Sequence, residues 1–281
     1  MEKNEITPRE QLKTYFQKGK YPTQGQFSEL IDSLKHKEDP LTQKEAVAIA
    51  NSFLSLNTGY IYYTTNIGNQ KFSVVVNSSD EDEQEIVSTT QGQGKVFFYG
   101  SAPYTIKAKK FPVEGLNGNE YYVLSYQVNS RFYRNMLFGN NLPSIPDGFE
   151  FGTLEDNMFN LSIGKLDIGQ QVNIVNTQIK FINNTSASIQ YRAQAGYWSD
   201  KYRAEDSVTN HYDISDTVSF TYDGDLTEIH QGIECKIFDT TNNNLLMTAF
   251  LSPTQNNQGV WGGGQLQGIR NIRIECDYKI L

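Results

Sequence analysis

Apolar residues recur along the chain with two different periods, and the change falls near residue 57. Before it, Phe27, Leu30, Ile31 and Leu34 stand at i, i+3, i+4 and i+7, the stripe of an amphipathic helix. Leu12, Tyr15 and Phe16 precede a stop at Gly19, and Ala46, Ile49, Ala50 and Phe53 share a third face with Leu54 and Leu56 beside it. Each stretch opens on a Thr followed three residues later by Glu or Gln: Thr7 and Glu10, Thr23 and Gln26, Thr42 and Glu45. In such a capping box the two side chains occupy backbone N–H groups that the first helical turn leaves without partners. Pro8 suits a first helical position, and Asp39-Pro40 breaks the chain before the third stretch. The spacing thus predicts short helices, the first two about twelve residues each, a length marginal in isolation. Their stripes must be covered by each other, by a partner subunit or by another protein. A helical cap on the chain's own β-domain is the alternative.

From Thr58 the period becomes two. Residues 72–76, 95–99 and 121–128 are strand-like by β-branched and aromatic content, with turn clusters at 68–69, 77–80, 91–94 and 115–119. Residues 140–148 hold two prolines and predict a long loop. A second strand series starts near Leu166 and covers 171–175, 178–182, 188–193, 217–222, 233–238, 245–251 and 269–280, with Asp223-Gly224 as a turn. The fold class expected is mainly β with a small N-terminal helical module, the β part being two sandwich or jelly-roll-like domains. The divisions are a helical module at 1–40, a helix at 41–57 suited to an oligomer bundle, a first β-domain at 58–165 and a second at 166–281. No sequence repeat relates the two β regions.

Composition narrows the chemistry. The 281 residues, at roughly 150 per domain, suggest about two domains. Three histidines and two cysteines leave little for a metal cluster or His-based catalysis, so no enzyme, cofactor or metal is expected. A net charge of −8 without a dense Lys/Arg stripe speaks against a nucleic-acid face. No run of about 18 apolar residues offers a membrane-spanning helix, and the N-terminus carries no signal-peptide core. Cys235 and Cys276 alternate with Ile on the same face and read as buried free thiols, a cross-strand disulfide being the alternative.

Local clusters are weighed in turn. The acidic run Asp80 to Glu83 with Glu85 lacks the ligand spacing of a calcium loop and reads as a solvated hairpin tip. Gln91 to Lys95 has the glycines of a phosphate loop but leads into a strand. Lys107, Lys109 and Lys110 suit an exposed strand edge. His211, Asp213 and Asp216 with Ser207 or Ser215 hold the letters of a hydrolase triad without a nucleophile elbow, and read as a turn cluster. Tyr197, Trp198, Tyr202, His211 and Tyr212, with Trp261 at a second loop, are candidate contacts for a glycan or a protein partner. Packing of these rings on the sandwich is the bland alternative.

The stretch 6–39 carries Arg9-Glu10, Leu12-Lys13, Tyr15-Phe16, Gly19, Pro22-Thr23, Gln26-Phe27 and Leu30-Ile31-Asp32-Ser33. It resembles an N-terminal helical module of virion fibre-like proteins from crAss-like and related phages of Bacteroides-type bacteria. The resemblance covers about an eighth of the chain and leaves the β-body unmatched. It implies a homo-oligomer, often a trimer, assembled in the host cytoplasm and held to other virion proteins, capsid or auxiliary, by its N-terminal helices. The expected attachment residues are Leu12, Tyr15, Phe16, Phe27, Leu30, Ile31, Leu34, Ile49 and Phe53. The modest length favours a short head fibre decorating the capsid. The alternative is a tail fibre or adhesin that recognises host surface glycans.

Overall fold

Alternating burial builds the body of the molecule from strands, and the computed structural model describes residues 8–34, 49, 59–80, 83–88, 91–129, 132–256 and 258–279. The chain divides into two units, residues 1–56 and 57–281.

In the first unit, α1 (Arg9–Tyr15) and α2 (Gln24–Ser33) form a helical pair. At α2 the capping box forms as its residues dictate: Thr23 Oγ1 accepts from the Gln26 N–H, and Gln26 Oε1 accepts from the Thr23 N–H. Pro8 stands at the N-cap of α1, one position earlier than expected, because the helix begins at Arg9. Thr7, Asp39-Pro40, Thr42 and Phe53 lie outside the described residues. The helices run seven and ten residues, shorter than expected. The Phe16 and Phe27 rings meet edge to face at 5.4 Å, and the Tyr15 hydroxyl donates to Glu29 at 3.1 Å.

The second unit holds two sandwiches. The first comprises β1 (Tyr60–Asn66), β2 (Ser73–Asn77), β3 (Gln84–Val87), β4 (Gly92–Phe97), β5 (Tyr104–Lys110), β6 (Glu120–Val128), β7 (Phe132–Phe138), β8 (Glu150–Leu154) and β9 (Met158–Asp167). Its sheets run β4-β1-β9-β6-β7 and β3-β2-β5-β8. Tyr63, Phe72, Phe138, Phe151 and Phe159 fill the layer between them.

The second sandwich comprises β11 (Gln178–Asn183), β12 (Ser188–Ala195), β13 (Trp198–Ser199), β14 (Ser207–Val208), β16 (Thr217–Asp225), β17 (Ile233–Asp239), β18 (Leu245–Leu251), β19 (Gln258–Gln267) and β20 (Asn271–Tyr278). Its sheets run β14-β11-β20-β17-β18 and β13-β12-β16-β19. A ribbon of β10 (Ile174–Val175) and β15 (His211–Tyr212) lies beside it.

Setting aside β10 and β15, the two sheet orders are one topology written twice. β1, β4, β6, β7 and β9 occupy the positions of β11, β14, β17, β18 and β20; β2, β3, β5 and β8 occupy those of β12, β13, β16 and β19. Strand directions agree as well. The first and last strands of each copy are parallel neighbours, β1 with β9 and β11 with β20, and the other in-sheet pairs of both copies are antiparallel. The register slips at matching points, between Ile106 and Lys107 in β5 against β8 and between Ser219 and Thr221 in β16 against β19. The body is a tandem repeat of one nine-stranded fold, a relation that sequence comparison of the halves does not disclose.

Several expectations change. Asp223-Gly224 is not a turn: β16 runs on to Asp225, with Gly224 paired to Ile189 and Gln258 on its two sides. Gly92 and Gly94 belong to β4, and Gly94 is required because a side chain there would strike the Tyr63 ring. Lys107, Lys109 and Lys110 do not mark a sheet edge, since β5 is paired on both sides. Lys107 and Lys109 instead reach Glu150 at 4.0 Å and Asp147 at 3.3 Å.

The two sandwiches share a joint. β7 closes one sheet as an edge strand, and its outward backbone groups are taken by side chains of the second sandwich. The Tyr212 hydroxyl accepts from Leu137 N–H at 2.7 Å and donates to Leu137 C=O at 3.1 Å. Asn135 N–H donates to Ser199 Oγ at 2.9 Å, and Arg134 pairs with Asp200 at 3.2 Å. The Tyr121 hydroxyl donates to Asn141 at 2.7 Å and accepts from Val172 N–H at 2.9 Å. Tyr121, Leu137 and Leu142 of the first sandwich accordingly pack within the core of the second.

Replacing Tyr212 with Phe keeps the ring and strips the hydroxyl from two buried backbone groups, each costing about 1–3 kcal/mol when left unmade. Denaturant titration of Tyr212→Phe should show a lower midpoint with an unchanged slope; an unchanged midpoint would show that the joint does not depend on this hydroxyl.

Candidate functional site

The triad letters do not converge on a nucleophile. The His211 ring is fully buried, with Thr209 Oγ1 at 2.7 Å from Nδ1 and Asp216 Oδ1 at 3.4 Å from Nε2. Thr209 Oγ1 also accepts from the Thr177 N–H at 2.7 Å, and the Asp216 carboxylate, which can only accept, calls for a proton on Nε2. In the neutral imidazole this leaves Nδ1 to accept from the Thr209 hydroxyl. The Asp216 carboxylate is gripped by Arg270 at 2.9 and 2.6 Å, which holds its carboxyl below the usual carboxylate range. Ser207 bonds the Tyr191 hydroxyl, Ser215 bonds Thr217, and Asp213 accepts from the backbone and side chain of Asn173. The cluster buttresses the β10–β15 ribbon. Thr177, Thr209 and Arg270, its other members, carried no signal in the sequence.

Tyr197, Trp198, Tyr202, His211 and Tyr212 do not form one exposed patch. Trp198 packs with the second core, its indole 6.2 Å from the His211 ring, and Tyr212 is buried at the joint. Burial of the apolar rings outweighed the loop-like look of the sequence around them. Tyr197 is exposed in a left-handed turn. Tyr202 is half-buried against Arg192, whose guanidinium carbon lies 5.2 Å from the ring centroid. Trp261, from the other stretch, is 57% exposed.

The two cysteines face each other across β17 and β20 as buried free thiols 3.0 Å apart. The Cys276 thiol and burial together push the Cys235 thiol above its ordinary range. Asp80 accepts from Ser78 at 2.9 Å and from Ser101 N–H at 2.8 Å, while residues 81–82 lie outside the described residues. Among the described residues no group of three His, Cys, Asp or Glu side chains is arranged to hold a metal ion.

On the helical unit, Leu12, Phe16, Leu30 and Leu34 line a groove of about 480 Å³ rimmed by Arg9 and Lys13. Leu12 is buried, Tyr15 and Leu30 are half-buried, and Phe16, Phe27, Ile31 and Leu34 are exposed, the last two at 65% and 63%. Ile49 is exposed as well.

No family model, curated protein or solved structure matches the chain. Function is therefore argued from the residues themselves.

Burial depresses the protonation range of His211, opposed by Asp216. A folded-state pKa below the unfolded one contributes stability that is present above the unfolded value, 6.5, and lost as pH falls through the lowered one. Melts recorded from pH 7.5 down to 5 should therefore show a steeper fall in Tm for the native chain than for His211→Gln. Parallel curves would remove His211 from the acid response.

Proposed function

We propose that the chain is a non-enzymatic structural protein of a bacteriophage virion, a short homo-oligomeric head fibre anchored by its N-terminal helices. The observation that carries the attachment role is the helical pair, which leaves Phe16, Phe27, Ile31 and Leu34 exposed, Phe16 and Leu34 lining a groove with Leu12 and Leu30. Large apolar side chains gathered on so small a unit lose water contact only when another surface covers them, which favours association. The motif between Arg9 and Ser33 supplies the link to phage particles, and with it a trimer, capsid or auxiliary proteins as anchoring partners and assembly in the host cytoplasm. Two β-sandwiches in tandem supply a body of the sort a fibre shaft or knob requires.

The second reading, a tail fibre or adhesin for host surface glycans, is favoured by one feature: Tyr202 and Trp261 remain accessible near the same sheet.

Mass photometry of the full chain should give a species of three chain masses. Phe27→Asp with Ile31→Asp should shift it toward one chain mass while the β-sheet circular dichroism signal is retained. A native chain that stays monomeric at micromolar concentration would overturn the fibre.

A further inference from the structure

We infer that the outer face of the β13-β12-β16-β19 sheet is a binding platform for a neutral glycan chain. The inference rests on the adhesin reading for its class of ligand and on the register of the sheet for its location.

Residues directly opposite on antiparallel strands point to the same face. Arg192 of β12 lies opposite Thr221 of β16, and Thr221 lies opposite Trp261 of β19. Val218, Phe220 and Tyr222, the alternate residues of β16, belong to the core, so this row faces outward. At the other end, mutual backbone bonds of 2.8 and 2.9 Å between Arg203 and Tyr191 set Tyr202 beside β12, with its ring against Arg192. The result is one transverse row, Tyr202, Arg192, Thr221 and Trp261. It spans three strand spacings, about 14 Å, the reach of a short oligosaccharide.

Trp261 stands clear of its own strand. Gly259, two residues before it, has open space where a side chain would project. Gly262 is tight because a side chain there would crowd the Phe220 carbonyl, and Gly263 has φ +91. The three glycines after Trp261 form the register shift that aims it, the positional use of a bulge beside a binding surface. An indole with open flanks can stack on the C–H face of a sugar ring, while Tyr202 supplies a second ring at the far end.

The next row, Gln194, Ser219 and Gln265, floors a cleft of about 370 Å³ completed by Thr217, Ser199 and Asn135. Asn135 Oδ1 is buried there with no hydrogen-bond partner among the described residues. Amides and hydroxyls both donate and accept, the capacity that a chain of sugar hydroxyls needs. The face is net acidic: it carries one guanidinium, Arg192, and two carboxylates, Asp223 and Asp225, at alternate positions of β16. On a chain of net charge −8, that excess of carboxylate repels a polyanion and favours a neutral ligand.

The tandem repeat supplies an internal comparison. The equivalent row of the first sandwich is Val75, Lys107 and Glu150, in which Lys107 and Glu150 pair with each other at 4.0 Å. One fold therefore carries two different surfaces at the same register, an ion pair in the first sandwich and rings, amides and a cleft in the second.

Purified full-length chain should be applied to a microarray of neutral glucans, mannans, galactans and N-acetylhexosamine polymers printed beside uronic-acid and sialylated glycans. Hits should then be titrated by calorimetry. The expected result is binding to a neutral glycan, weakened about tenfold or more by Trp261→Ala or Gln265→Ala and unchanged by Lys107→Ala in the first sandwich. Thermal melts confirm that each variant folds. No binding to any glycan would overturn both the platform and the adhesin reading. Binding that survives Trp261→Ala and Gln265→Ala would overturn the platform while leaving the adhesin reading standing. Binding confined to acidic glycans would overturn the ligand class.

Discussion

An edge strand with unpaired backbone groups is a hazard, and the architecture of the β-body depends on how β7 is closed. A sixth strand paired to β7 would only have moved the open edge outward; instead, side chains of the second sandwich occupy the outward positions of Asn135 and Leu137. The Tyr212 hydroxyl does the work of a neighbouring strand with one atom, taking one N–H and one C=O of the same residue. Because these groups are buried, the two repeats are held at a defined juxtaposition by directional bonds as well as by apolar contact. Tyr121 adds a matching bond in the opposite sense, reaching from the first sandwich to Val172 in the second.

Much of the secondary structure was legible along the chain. The capping box at Thr23 forms, and the strand 245–251 has the limits its pattern predicts. Elements with few apolar residues were harder to see: β4 holds two glycines, and β19 holds four, so neither shows a clean alternation of large side chains. The repeat was hidden for a different reason. A sheet order is specified by which positions face inward, not by which residues occupy them, and the two copies fill matching positions differently. Val75 against Arg192 and Glu150 against Trp261 are examples.

The candidate contacts divided along the same line. Local density of aromatics singled out residues 197–212 but could not separate rings that hold the sandwiches together, Trp198 and Tyr212, from those left accessible, Tyr197 and Tyr202. That separation depends on partners more than sixty residues away, such as Leu137 for Tyr212, and no local window contains them.

The parallel pairing of first and last strands also decides how each repeat bears load. β1 and β9 start at the same end, as do β11 and β20, so the chain enters each sandwich at one end and leaves at the other. A pull on the two ends of a repeat slides its terminal strands past one another. The seven residue pairs joining β1 to β9, and the six joining β11 to β20, then resist in shear, all bonds strained together and none opened first. Antiparallel terminal strands would peel one bond at a time. Tension along the chain is therefore met by the strongest direction of each sheet.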